Sequence, residues 1–166
     1  MREEMEQVER YVAIQSMRFP ERFIVSVDLP EELQGCRICR FALQPVVENA
    51  MSHGMERSRQ KVHLWIGGNV AGGRCRIVVE NDGVTPGSAR IAQINRRLSR
   101  GEDEVSFEPG GDSGIGLMNV HIRLRREYGE NGWVRLEERP DGRGLRVVIG
   151  FLTNERGGRS DVHSDR

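Results

Sequence analysis

Leu43-Gln44-Pro45-Val46-Val47-Glu48-Asn49-Ala50-Met51-Ser52-His53-Gly54 is the stretch on which the fold turns. Leu43, Val46, Val47 and Ala50 fall at i, i+3, i+4 and i+7, which predicts a helix with one buried stripe. Its remaining surface pairs Glu48 with Ser52 and Asn49 with His53, so a carboxylate, a carboxamide and an imidazole project together. An Asn oxygen beside a carboxylate suits a hard cation such as Mg²⁺, which needs only one or two protein oxygens when phosphates supply the rest. Polar residues on an outer helix face are ordinarily just solvated. Two glycine-rich segments downstream turn the reading toward chemistry. Pro45 either starts the regular helix or kinks it.

Upstream, Arg2 to Phe19 is charged and strand-poor, with Met5, Val8, Tyr11, Val12 and Gln15 at helical spacing, and Pro20 forbids easy continuation. Phe23, Val25, Val27 and Leu29 alternate with polar or opposite-facing positions and predict a strand with one apolar face, closed by Pro30. Downstream, Val62, Leu64 and Ile66 alternate, Gly67-Gly68-Asn69 and Gly72-Gly73 read as a flexible turn, and Cys75, Ile77 and Val79 alternate again, an antiparallel hairpin. Its second strand runs into Glu80-Asn81-Asp82-Gly83, where polar side chains stand at a strand end.

Ser88 to Leu98 reads as a helix through Ile91, Ile94 and Leu98. Ser99 to Asp112 has no periodicity and is long for a connection inside one domain, either a lid or a disordered insertion. Gly110-Gly111-Asp112-Ser113-Gly114-Ile115-Gly116-Leu117 then enters a helix with Leu117, Val120, Leu124 and Tyr128 on one side and Gly129 past its end. A glycine-rich helix entry exposes free N–H groups at the positive end of the helix dipole, an anion site for which phosphate is the obvious candidate. The chain closes with Trp133 to Glu138, a turn at 139–144, and Leu145, Val147, Ile149 and Phe151 alternating, a second hairpin. Thr153 to Arg166 has almost nothing to bury and reads as a disordered tail.

The whole is 166 residues with 37% hydrophobic content, enough for one domain with a core. Acidic and basic residues balance at 25 each, which argues against a general nucleic-acid or anionic-membrane surface. Arg96-Arg97 and Arg123 to Arg126 read as solvated helix faces. Three cysteines imply a reducing, cytoplasmic setting and no disulfide framework, and Cys36-Arg-Ile-Cys39 is only half of a zinc site. No apolar run reaches transmembrane length.

Taken together, Glu48-Asn49-Ala50 with His53-Gly54, Glu80-Asn81-Asp82-Gly83, and Ser113-Gly114-Ile115-Gly116-Leu117-Met118-Asn119-Val120 resemble the N, G1 and G2 boxes of the GHKL ATPases, in the same order and spacing. The phrase Leu43 to Ala50, the helix ending Arg123-Leu124 and Tyr128-Gly129, and the leader Val8-Glu9-Arg10-Tyr11 with Arg18-Phe19 look like the LytS/YesM type of sensor histidine kinase. The likeness covers roughly residues 3 to 152.

That resemblance implies an α+β, two-layer Bergerat-type sandwich, a mixed and mostly antiparallel sheet with helices on one face and ATP between the helices and the lid. It divides the chain into a helical leader (1–20), a catalytic ATP-binding domain (21–152) and a tail (153–166). By the same likeness Asn49 would hold Mg²⁺ against the phosphates, Gly114, Ile115, Gly116, Leu117 and Asn119 would lie along them, and Asn81, Asp82 and Gly83 would flank adenine. His53 would sit near the phosphates, and Glu48 would be a metal-adjacent group or a base.

Three departures stand out. Asn81 occupies the slot where the family's adenine-reading Asp usually stands, with Asp82 beside it. Pro45 occupies the position of the hydrolases' base. Gly144 is followed by Leu145 where the last box often reads Gly-Thr. None of His53, His63, His121 and His163 stands in the context of a phosphoryl acceptor. The implied activity is transfer of the ATP γ-phosphoryl group to a His on a separate dimerisation segment, and from there to a response regulator. The alternatives are a nucleotide-binding regulatory module without kinase chemistry and a GHKL-type ATP hydrolase.

Overall fold

A computed structural model describes residues 1–56, 61–100 and 115–153, without the side chains of Met55 and Glu56. Among the described residues the sheet has five strands: β1 (Phe23–Asp28), β2 (Val62–Ala71), β3 (Arg74–Asn81), β4 (Trp133–Glu137) and β5 (Leu145–Leu152), in the order β1-β2-β3-β5-β4. Only β1 and β2 run parallel, so they need a crossover, and the chain makes it through α2 (Glu31–Gly35) and α3 (Gln44–Glu56). The other three pairings are antiparallel. The expected mixed, mostly antiparallel sheet with helices packed against it is thus the observed fold.

Alternation assigns the two sheet faces. Leu64 and Ile66 on β2, Ile77 and Val79 on β3, and Val147, Ile149 and Phe151 on β5 are buried with α3, α4 (Ser88–Arg100) and α5 (Ile115–Tyr128) in one core. Along the other face Glu80 pairs with Arg139 and Arg146, and the Arg139 guanidinium lies 4.6 Å from the centre of the Trp65 ring. These residues line an open cleft of about 580 Å³ on the face away from the helices.

Helix α1 (Arg2–Arg18) follows the spacing expected of it, with Met5 and Val8 buried and Tyr11 and Val12 packed against the core. Strand β1 covers its neighbours less well than its sequence suggests. It is an edge strand, and Ile24 and Val27 remain 43% and 50% exposed. Gly67, Gly68 and Asn69, read from sequence as part of a turn, belong to β2; the turn is Gly72-Gly73 alone, with φ of +56° and +73°. Two residues with positive φ make the tight hairpin whose twist matches its strands. Gly68 serves another purpose: a Cβ there would run into Arg76 O on β3 and sit 2.6 Å from Leu33 Cδ2, so its bareness lets the β3 backbone and α2 both come close to β2. Helix α4 runs to Arg100, and the rest of the expected lid, 101–112, lies outside the described residues, as does the tail from 154 onward. Thr153 itself is tied back, its N–H and hydroxyl both donating to Gly73 O.

Candidate nucleotide site

Helix α3 keeps the division its sequence announces. Leu43, Val46, Val47, Ala50 and Met51 are all buried, while Glu48, Asn49 and His53 are half-buried along the other side. Pro45 starts the helix and does not kink it: Leu43 O accepts from both Val46 and Val47 N–H, and Pro45 lies in the first turn, where a missing N–H breaks no helical bond. Gln44 Nε2 donates to Glu48 Oε1 at 2.7 Å and steadies that carboxylate from one turn before. Among the described residues nothing hydrogen-bonds the Asn49 carboxamide.

Each of the other two sequence islands touches α3, one at either end of it. Helix α3 packs on both β3 and α5. At the β3 end Gly83 lies against the last turn of α3, where an added Cβ would stand 2.5 Å from Gly54 Cα. At the other contact Gly116 faces α3, its nearest neighbour being Pro45 Cβ, 3.9 Å from where a Cβ would be. Gly114 lies outside the described residues. Leu117 is buried in the core, so it has only backbone to offer a ligand, whereas Ile115, Gly116 and Asn119 are exposed.

Strand alternation separates the residues at the end of β3. Glu80 faces the open side with its two arginines. Asn81, 1% exposed, faces the helices in the same row as Leu64 and Leu145. Asn81 Oδ1 accepts from Gly83 N–H at 3.0 Å, which fixes the direction of the amide and leaves Nδ2 buried with no acceptor among the described residues. Asp82 is used otherwise: its Oδ1 accepts from His63 N–H at 2.7 Å and pins the strand end to β2. Gly144, at φ +75°, closes the wall behind Asn81; a Cβ there would run into Asn81 O.

Sequence reading missed Glu4. This carboxylate is 4% exposed, and it accepts from the N–H groups of Phe41, Ala42 and Leu43 at 2.7, 2.9 and 3.0 Å, ahead of α3. A glutamate in a charged helix gives no signal of burial. The one available cue was its place one residue before the apolar Met5 on the inward side.

Residues 37–155 match the family described as Histidine kinase-, DNA gyrase B-, and HSP90-like ATPase, and the chain belongs to it. Among curated relatives, Sensor histidine kinase YesM of Bacillus subtilis (strain 168) is 30% identical over 149 residues, covering 90% of this chain and 23% of its own length. Sensor histidine kinase YpdA of Escherichia coli (strain K12) is 33% identical over 135 residues, covering 81% and 22%. The chain therefore spans less than a quarter of the length of these relatives. The catalytic domain of histidine kinase ThkA, in a nucleotide-free form, shares the fold with a TM-score of 0.64 at 16% identity, covering 92% of each chain.

Proposed function

We propose that this chain is the ATP-binding catalytic part of a sensor histidine kinase, and that it passes the γ-phosphoryl group of Mg·ATP to a histidine on a separate dimerisation segment, from which a response regulator takes it. The observation that carries this reading is the Asn81 carboxamide, a buried amide with an unused donor at the strand end where Gly83 meets Gly54 of α3. Buried polar groups normally find partners, and one left over beside Gly83 and Gly144 fits a ligand that completes it.

The residues suit an adenine nucleotide. With Oδ1 held toward Gly83, the Asn81 amide presents an N–H to a ring nitrogen and a second oxygen lone pair to an exocyclic amino group, the donor–acceptor pair of adenine's edge. Asn49, with Glu48 next to it, supplies the one or two oxygens that Mg²⁺ takes when phosphates provide the rest. When bound, the metal would neutralise phosphate charge. The Ile115 and Gly116 amides at the start of α5 and the positive end of its dipole favour the same anion. Phosphoryl transfer asks chiefly for such positioning and charge neutralisation. Use of ATP and transfer to a response regulator put this part of the protein in the cytoplasm.

Titration with ATP in the presence and absence of Mg²⁺ tests the reading. Asn49→Ala should remove the magnesium-dependent part of the affinity, and binding indifferent to both would overturn it. Label appearing on a supplied acceptor segment then separates a kinase from a nucleotide-binding module. Steady phosphate release by the chain alone would favour the hydrolase, against which Pro45 at the base position speaks.

A further inference from the structure

The turn that launches α3 is gripped from two helices at once. From α1, the Glu4 carboxylate takes three consecutive N–H groups, those of Phe41, Ala42 and Leu43. From α5, Arg123 Nη1 donates to Arg40 O and Phe41 O, both at 3.4 Å. Phe41 has φ +57°, in the left-handed region that a bulky side chain avoids. Such a conformation persists only where its surroundings over-determine it. Here it turns successive amides inward as a nest around one anion, and the anion is Glu4.

Farther along α1 the contact with α3 continues. Val8 is buried in the shared core, and Tyr11 lies close enough to Glu48 that burial and then the Glu48 charge raise its phenol pKa. The leader helix thus meets α3 both at the turn that launches it and beside the residue preceding Asn49.

We propose that Glu4 is a positioning residue for the ATP site, and that through it the placement of the leader helix α1 sets where α3, and with it Asn49, sits against α5 and β3. The consequence for nucleotide rests on the proposed function; the mechanical link does not. A helix is stiff along its axis, so a displacement of its first turn moves a side chain six residues on, whereas a surface ion pair would let it slip. Anything attached to α1 gains a direct lever on the site.

The test uses the whole chain carrying Glu4→Gln, which keeps the side chain's shape but removes its charge and one of its two acceptor oxygens. Val134→Ala, a core truncation in β4 remote from α1, serves as a control for lost stability. Three quantities are compared: melting temperature, the NMR signal of the Asn49 side-chain amide, and ATP affinity with Mg²⁺. The proposal expects Glu4→Gln to shift the Asn49 signal and to weaken ATP about tenfold, within the range that small misplacements cost, while Val134→Ala does neither at an equal or larger loss of melting temperature. An unmoved Asn49 signal overturns it. So does an unchanged ATP affinity in Glu4→Gln, or an equal weakening in both variants, which would make Glu4 a tie of the fold and nothing more. If the unmodified chain fails to bind ATP while the Asn49 signal still moves, the positioning stands and the proposed function falls. Should Glu4→Gln not fold, Arg123→Gln, which loosens the same turn from α5, is read against the same outcomes.

Discussion

A buried amide nitrogen without an acceptor costs about 1–3 kcal/mol, and at Asn81 the fold tolerates this cost while apolar Leu64 and Leu145 stand beside it in the sheet. Asn81→Leu should relieve the orphan donor at the expense of one hydrogen bond from Gly83. We expect its melting temperature to stay within a few degrees of the parent's, while ATP affinity falls about tenfold, one lost hydrogen-bonded edge. Calorimetric titration beside a melting curve reads both; retained affinity would remove Asn81 from the site. Gly83 gives a complementary prediction. Its Cβ would strike Gly54 Cα, backbone against backbone, so Gly83→Ala must push the end of α3 off the strand. The expected cost is about 1–3 kcal/mol in urea unfolding, as for other overpacked sites. At Gly35, where an added Cβ meets nothing within 4 Å, the same substitution should change stability little.

At the scale of elements, periodicity located every helix among the described residues that is long enough to repeat. It also placed both hairpins and separated the buried from the polar side of α3. Helix α2 escaped because its five residues are shorter than any window in which a 3.6 period can show. Gly68 was read as turn because sequence does not reveal that the Arg76 carbonyl on β3 and the Leu33 side chain need the space its missing side chain leaves. Of the proposed site, Asn49 and the glycines were legible only as residue types at positions. The orientation of Asn81 and the role of Asp82 were not, since both depend on which face of β3 the register assigns them.

His121 shows a tie between elements that sequence left silent. It is buried on α5, and its Nδ1 accepts from Val134 N–H on β4 at 3.1 Å, which requires an unprotonated Nδ1. Burial first, and then the nearby Arg125 charge, lower its pKa below the ordinary imidazole value. In the unfolded chain it titrates near pH ~6.5, so between that pH and the lower folded value the unfolded state holds more protons. The stability it contributes is therefore complete above about pH 6.5 and drains as pH falls below it. Melting curves from pH 8 to 5 should show a steeper acid loss for the parent than for His121→Gln; equal slopes would mean the imidazole is not held neutral.

For the molecule as a whole, the sheet order decides where stability resides. Strands β3 and β5 lie inside the sheet, each with partners on both sides, and their helix-facing side chains are all but fully buried. At one edge, β1 keeps Ile24 and Val27 substantially exposed and, among the described residues, pairs with β2 alone. Local opening follows burial and the exposure of hydrogen bonds. Native-state hydrogen exchange should accordingly find the slowest amides in β3 and β5, opening only with the whole molecule, and faster ones along β1. The three amides ahead of α3 are the exception that tests the architecture. They belong to a loop, where exchange is ordinarily fast, yet they end on the buried Glu4 carboxylate. If α1 is part of the cooperative unit, Ala42 and Leu43 should exchange as slowly as the helix that follows them. Were they to exchange like exposed loop amides while β3 stays protected, α1 would be opening independently of the sheet, and the leader would have no fixed hold on the site.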